Sequence, residues 1–492
     1  MVITPVHYIV VPLLAAFAIP LLTKIYKDAA RVIPGIVLFY NVVVSFFLLK
    51  QVNETGLISE VIAGWQAPWG INLVITPFTG FLATMVSVLG FIIWLYGYRF
   101  KRTLKGGLVK YYEILQMMMV AGSIGIIITG DLFNMFVFIE IVGISAYSLT
   151  AFYRGRDGAE ASFKYLLIGS FASTFLLLGI LIIYTQTGTL NMAQIADRMH
   201  LVPQNMKIIA LIFFLIALGI EAEMFPLNGW TPDAYSQAPS PTSATFAAVV
   251  SIAGVYALIR VLFTLFDVPV NNYLMVMGFI TMLVAEIAAI SQKDLKRMLA
   301  YSSIGQVGLA LIAFGIGSKL AVFGALFLML NHGVIKALLF MTGSYFIYNT
   351  DDKKLKSLNG IHKRLPVVSF FFSLGALAIV GFPPFSGFWS KFYILMAAGD
   401  QRHIYLIIGI LLVTIIEVTY YLRIMGRIYF AKEEGEPASH KPSVNALIAM
   451  ASLALFIIII GVYPDLITQT LDNAAGALLD KSNYINQILS LN

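Results

Sequence analysis

The chain has 492 residues, of which 59% are hydrophobic and 12% are charged, and its mean hydropathy is +0.86. This composition excludes an ordinary soluble domain and a disordered chain. The net charge of +7 does not indicate nucleic-acid binding, because the basic residues lie in short loops between apolar runs. The sequence therefore predicts an all-α protein that crosses the lipid bilayer many times.

Apolar runs of about 20 residues, long enough to cross the hydrocarbon core, recur along nearly the whole chain. The first residues lack a basic segment and a cleavage signature, so the first run is predicted to be a retained helix. Residues 464–492 are predicted to form a tail outside the membrane, with a short amphipathic helix. We predict fourteen spans, at residues 5–23, 32–49, 72–97, 111–129, 131–152, 163–185, 207–229, 242–265, 271–291, 298–317, 320–347, 365–398, 404–430 and 443–463.

The loop charges predict the orientation. Of the 32 Lys and Arg residues, 23 fall in loops or at span ends on one side and 6 on the other, which leaves Arg260, Lys336 and Lys391 in the interior of spans. By the positive-inside rule the richer side is cytoplasmic, so both termini are predicted to lie outside the cell membrane.

Two spans are interrupted by proline. Pro226 interrupts span 7, and Pro383 with Pro384 interrupts span 12, where the chain reads GFPPFSGFWSK from Gly381 to Lys391. Proline removes a backbone donor and clashes with the preceding turn, so each span is predicted to be two half-helices. Spans 7 and 12 are five apart, and an odd offset places equivalent helices in opposite directions, as in an inverted repeat.

The predicted organisation is therefore one membrane domain built on two inverted five-helix repeats. Its parts are helices 1–3 at residues 1–110, the first repeat at 111–266, the second at 267–430, and helix 14 with the tail at 431–492.

Ionisable residues inside the spans are the candidate functional groups, because charge at membrane depth is costly and usually handles ions. His332 and Lys336 are four apart, so both project from one face of span 11. Glu417 is a candidate far partner for Lys391. The proposed set for proton or ion translocation is Glu140, Glu221, His332, Lys336, Lys391 and Glu417.

Structural roles remain open for these residues. Lys391 could extend to the interface from a helix end, Glu140 could make a helix-packing hydrogen bond, and His332 could be a buried histidine with a satisfied partner. Glu221 and Glu223 point to different faces of span 7, and both could lie near a wet interface; Glu221 is preferred for the cavity. A relay role for Glu286 or Glu113 stays open as well.

The sequence has no cysteine, which excludes a disulfide, a thiolate metal site and a Cys-ligated cluster in this chain. No cofactor is predicted in it. If electrons drive the protein, iron–sulfur clusters or a nickel–iron site would belong to partner subunits. The predicted partners are other membrane subunits, the lipid bilayer, and protons or sodium ions; nucleic acid is not among them.

The chain resembles the antiporter-like subunits shared by respiratory complex I, Mrp cation/proton antiporters (the D-type subunit), and membrane-bound hydrogenase and sulfane-sulfur reductase complexes (the H-type subunit). The similarity covers roughly residues 70–430. It is carried by DLFNMFVFIE at Asp131–Glu140, Phe225-Pro-Leu with Trp230 and APSPTSA at 238–244, DLKRMLAYSSIGQ at Asp294–Gln306, His332 with Lys336, and the Gly381–Lys391 motif. The resemblance implies fourteen helices, two inverted repeats and a proton path along a central polar axis.

The chain departs from the family in its first half. The family usually has a lysine where Glu221 stands, and another in span 8, where this chain reads VSIAGVY from Val250 to Tyr256. Glu140 therefore lacks its usual lysine partners, while the second half resembles the family fully.

Three functions follow from the sequence. The leading hypothesis is a proton- or sodium-translocating subunit of a redox-driven complex of the membrane-bound hydrogenase or sulfur reductase type, which is not catalytic alone. The second is an Mrp-type secondary sodium/proton antiporter subunit. The third is a structural membrane subunit with a degenerate first-half channel.

Overall fold

The computed structural model describes residues 3–104, 107–266, 270–432 and 440–490. The predicted domain limits at residues 1, 267 and 492 lie outside the described residues. The helices of the N-terminal part and first half are α1 His7–Ile25, α2 Ala29–Thr55, α3 Pro77–Tyr96, α4 Tyr98–Thr103, α5 Leu108–Ile128, α6 Leu132–Thr150, α7 Arg156–Thr187, α8 Met192–Arg198, α9 Gln204–Glu221, α10 Thr231–Gln237, α11 Ser240–Thr245 and α12 Ser251–Leu265.

The remaining helices are α13 Asn271–Ser291, α14 Leu295–Ile316, α15 Lys319–Thr350, α16 Pro366–Val380, α17 Ser386–Asp400, α18 Ile404–Phe430, α19 Val444–Val462, α20 Asp465–Leu479 and α21 Lys481–Ser490. A π-helical turn, Phe246–Val250, joins α11 to α12. Among the described residues, thirteen helices are long and apolar enough to cross a membrane, and α16 with α17 makes a further crossing. The predicted α-helical fold that crosses the membrane many times is confirmed, and the chain leaves the helix at both predicted breaks.

Several details differ from the sequence prediction. The first half of span 7, α9, ends at Glu221, five residues before the proline at which the break is predicted. The loop before α3 contains an antiparallel hairpin, β1 Ile58–Val61 with β2 Asn72–Ile75. The predicted tail is two helices, α20 and α21, and Tyr484 of α21 covers the buried Arg260 of α12, with 4.1 Å between the guanidinium carbon and the ring centre.

The two repeats share one residue register. Helices α5 and α13 have 21 residues each, α7 and α15 have 32 each, and the later helix of each pair begins 163 residues after the earlier one (271 minus 108, and 319 minus 156). Helices α6 and α14, which begin at Leu132 and Leu295, keep the same shift. Because five crossings separate the members of each pair, they run in opposite directions.

The local contacts at the start of α6 and α14 also match. Asp131 caps α6 and pairs by a β-bridge with Asn191, while Asp294 caps α14 and pairs with Lys354. Both partners are again 163 residues apart. This register makes Ser173 of α7 the counterpart of Lys336 of α15.

Two lysines hold the end of the half-helix α10. Lys296 donates to the carbonyl of Ala238 at 2.9 Å, and Lys353 donates to the carbonyl of Ser236 at 2.9 Å. The last carbonyls of a helix lack partners within the helix, so cations are favourable there. The half-helix that follows the break in span 7 is therefore held at its C-terminal end.

Glycines allow close approach at both broken helices. A Cβ added at Gly254 of α12 would overlap the carbonyl oxygen of Glu221, where α9 ends. A Cβ added at Gly387 of α17 would overlap the carbonyl oxygen of Ala378, near the end of α16. In each case the last turn of the half-helix before the break packs directly against a glycine.

Gly387→Ala should therefore destabilise the protein by about 1–3 kcal/mol, because the added methyl group forces α16 and α17 apart. Gly426→Ala is the matched control, since nothing lies within 4 Å of its Cβ position in α18 and alanine favours a helix by up to about 1 kcal/mol. Thermal unfolding of the purified variants in detergent measures both. Equal melting temperatures for the two variants would contradict the close packing at Gly387.

Candidate functional site

The buried titratable groups of the second half converge on one stretch of α14. Helices α14 and α15 are almost wholly buried. The α14 stretch from Leu299 to Gln306 contacts one titratable group from α13, two from α15 and one from α18. These groups are Glu286, His332, Lys336 and Glu417.

Lys391 forms a direct ion pair at the break of span 12. Its Nζ lies 2.6 Å from Glu417 Oε2 and donates to the carbonyl of Val380 at 3.0 Å. Glu417 is 1% exposed, and its other oxygen accepts from Gln306 Nε2 at 2.7 Å. Lys391 therefore faces the protein interior and does not extend to the interface, and Glu417 is its direct rather than its far partner.

Lys336 is fully buried and is held by uncharged oxygens. Its Nζ donates to Ser302 Oγ at 2.7 Å, to the Leu299 carbonyl at 3.1 Å and to Tyr421 Oη at 3.5 Å. Charge–charge interactions reach it from Glu286, Glu417 and Glu223. The carboxylates that stabilise Lys336 therefore act over a longer distance than the direct contact between Glu417 and Lys391.

His332 lies one turn before Lys336 and faces the same helix. Its Nε2 is 3.2 Å from Ser303 Oγ and 3.1 Å from the carbonyl of Ala247. A carbonyl only accepts, so we assign the ring proton to Nε2. Ala247 belongs to the π-helical turn between α11 and α12, and such turns are frequent at functional sites.

Glu286 of α13 belongs to this cluster. It is 1% exposed, and a Cβ added at Gly305 would overlap its Oε1, so the carboxylate rests on the backbone of α14. Its electrostatic neighbours are Glu417, Lys336 and Lys391. From the sequence alone, Glu286 is expected nearer a helix end and its role stays open.

Among the described residues, Glu140 and Glu221 of the first half have no ion-pair partner. Glu140 is half-buried and accepts a hydrogen bond from Ser173, the counterpart of Lys336. Glu221 is the last residue of α9 and interacts electrostatically with Glu140. This arrangement agrees with the departure from the family pattern that the sequence indicates.

Glu223 is the residue that sequence reasoning passed over in favour of Glu221. It is 0% exposed, has φ of 57°, and accepts from Tyr235 Oη at 2.5 Å. Its charge also reaches Lys336 in the second half. Glu223 is thus buried and faces α10, whereas Glu221 is partly exposed and interacts with Glu140.

A small cavity lies between the halves. It has about 10 Å³ of space for the centre of a water molecule and is lined by Ser251, Gln306 and His332 together with apolar residues. Among the described residues, Ser251 Oγ, Gln306 Oε1 and His332 Nδ1 have no hydrogen-bond partner, although Ser251 lies beside Glu223. A cavity of this size suits a single water molecule.

Another buried ion pair lies apart from these groups. Lys101 Nζ is 2.8 Å from Glu113 Oε1, both side chains are 1% exposed, and Trp94 Nε1 donates to the same carboxylate at 3.0 Å. This pair joins α4 to α5.

Two spans are broken, at Pro226 and at Pro383–Pro384, and charged groups are enclosed beside them. These features are those of an antiporter-like, multi-pass integral membrane subunit. A model of the family described as NADH:quinone oxidoreductase/Mrp antiporter, transmembrane region, matches residues 129–417. The chain belongs to this family.

Three relatives illustrate the range of the family. The NADH-quinone oxidoreductase subunit N of Desulforudis audaxviator is 34% identical over 435 residues, which cover 86% of each chain. The D-type subunit of the Na(+)/H(+) antiporter of Alkalihalophilus pseudofirmus is 30% identical over 98% of this chain and 99% of the relative. In the solved structure of the membrane-bound sulfane sulfur reductase, an archaeal respiratory membrane complex, one chain superposes with a TM-score of 0.91 at 35% identity, covering 99% of this chain and 100% of that one.

The direct contact between Lys391 and Glu417 predicts a strong energetic coupling. Lys391→Met and Glu417→Gln should each lower the free energy of unfolding by about 3–5 kcal/mol, because each leaves a buried polar partner uncompensated. The double variant should lose less than the sum of the two. Unfolding in mixed detergent micelles measures this cycle, and additive losses would contradict the pairing.

Proposed function

We propose that this chain is the ion-translocating, antiporter-like subunit of a redox-driven membrane complex of the sulfane sulfur reductase or hydrogenase type. The observation that carries the proposal is the Lys391–Glu417 pair, enclosed at a helix break and joined by Gln306 to α14. Ionisable groups at a broken helix are costly in a membrane and mark ion pathways in transporters.

Protonation changes pass through Glu140, Glu221, His332, Lys336 and Lys391, and each change alters the charge preference of its neighbour. The Lys391–Glu417 pair holds one end of this series in the second half. Glu140, with its serine partner, holds the other end. The transported ion is a proton or a sodium ion, since carboxylate and hydroxyl oxygens of the first half suit either.

The choice of a redox-driven complex is supported by the likeness to the sulfane sulfur reductase chain, which extends over almost the whole length at 35% identity. Iron–sulfur clusters or a nickel–iron site then belong to partner subunits, because this chain has no cysteine. The loop charges support a place in the cell membrane with both termini outside.

An Mrp-type secondary sodium/proton antiporter subunit is the second candidate. It is favoured by the Na(+)/H(+) antiporter relative from Alkalihalophilus pseudofirmus, which matches 98% of this chain. A structural subunit with a degenerate first half is the third, and Ser173 in place of a lysine beside Glu140 favours it.

Purification of the native complex in mild detergent tests the proposal. We expect abundant iron and a redox partner subunit by metal analysis and mass spectrometry, with nickel present if the partner acts on hydrogen. A metal-free assembly of small hydrophobic subunits would move the conclusion to the secondary antiporter.

Lys391→Met should abolish ion pumping by the complex in proteoliposomes, because methionine can neither carry a proton nor form an ion pair with Glu417. Since the single variant leaves Glu417 buried without its partner, the double variant with Glu417→Gln should also be measured. Lys319→Met is the matched control, because Lys319 pairs with Asp472 in an exposed ion pair at 2.7 Å. Normal pumping by both Lys391 variants would refute the assignment of Lys391.

A further inference from the structure

The Glu286 carboxylate of α13 and Lys336 Nζ of α15 contact α14 at positions that are one helical turn apart. Lys336 Nζ contacts Ser302, and the Glu286 carboxylate rests on Gly305. These two α14 residues are three apart, so they lie on one face with a rise of about 4.5 Å between them. Gln306, which holds Glu417, follows directly on the same helix.

Within the part of the chain that the structure describes, neither Lys336 nor Glu286 is in a direct ion pair. The three hydrogen-bond acceptors of Lys336 are uncharged oxygens. Among the described residues, Glu286 Oε2 is buried without a hydrogen-bond partner. Lys391 and Glu417, in contrast, touch at 2.6 Å. The cluster around α14 thus contains one pair in direct contact, Lys391 with Glu417, and one pair that is not, Lys336 with Glu286.

We propose that Glu286 is the proton-exchanging partner of Lys336 and the step between Lys336 and the Lys391–Glu417 pair. The proposal rests on the proposed function, to which it adds one member of the ion path. In the step, a proton leaves Lys336 Nζ and arrives on the Glu286 carboxylate. An ammonium and a carboxylate become an amine and a carboxylic acid, with no change in net charge.

The surroundings of Glu286 suit this exchange. The charged and titratable groups that face it are Lys336 of α15, Lys391 of α17, and Glu417 and Tyr420 of α18. Two lysines and two glutamates balance one another when all are charged. A separated buried pair is less stabilised than a direct one, so the neutral state of Lys336 and Glu286 is accessible.

Hydroxyl groups lie along the route. Ser302 Oγ touches both Lys336 Nζ and Tyr421 Oη, the latter at 3.0 Å. Tyr420, the next residue, lies beside Glu286. A hydroxyl both donates and accepts, so each can receive a proton on one side and release one on the other.

Glu286→Gln should lower pumping at least tenfold in the assembled complex, because a carboxamide cannot take the proton. Glu286→Asp should retain pumping with a shifted pH profile, since the shorter side chain places the carboxylate in different surroundings and so changes its pKa. Gly305→Ala should also lower pumping, because its methyl group displaces the carboxylate and leaves the charge intact. Asp472→Asn is the control, because Asp472 lies in an exposed ion pair with Lys319, and it should pump normally.

Pumping by Glu286→Gln at the level of the wild-type complex would overturn the proposal. So would a Glu286→Asp variant with an unchanged pH profile, which would make Glu286 a structural counter-charge. If Glu286→Gln does not assemble, Glu286→Asp and Gly305→Ala decide by the same criteria. Failure of the proposed function is distinct, because wild-type complex would then not pump or Lys391→Met would pump normally.

Discussion

Charge balance inside a low-dielectric core is the constraint on which this structure depends. Two lysines, Lys336 and Lys391, and two carboxylates, Glu286 and Glu417, are enclosed together around α14. A single uncompensated charge there would be expensive, whereas a balanced group of four is tolerated. The balance also couples the four groups, because any ion or proton that enters changes the protonation state that each of them favours.

The broken helices bring that group together. The break after Val380 exposes a carbonyl that accepts from Lys391, and Gly387 lets the second half-helix pack against the first. In span 7 the break turns Glu221 and Glu223 toward different neighbours, and Lys296 of α14 and Lys353 of the loop after α15 bind carbonyls at the end of α10. Irregular backbone at membrane depth is stable here because protein groups satisfy it.

Much of this architecture could be predicted from the sequence, because hydropathy, loop charge and paired prolines are strong local signals. Those signals indicate the fourteen spans, both breaks and the interior position of Lys391. Contacts between distant helices are harder to predict. The prediction that Glu286 lies near a helix end is correct, since α13 ends at Ser291, but nothing in the sequence indicates that its carboxylate packs on Gly305 of α14. Glu223 was passed over because a backbone with φ of 57° turns it inward, and periodicity assumes a regular helix.

The constant shift of 163 residues has a consequence for directionality. Over three successive helices the halves match in register without an insertion or deletion, and they run in opposite directions. A scaffold with this symmetry looks alike from either face of the membrane and by itself favours neither direction of flow. The vectorial character must therefore reside in side chains that differ between equivalent positions, of which Ser173 and Lys336 are the clearest example.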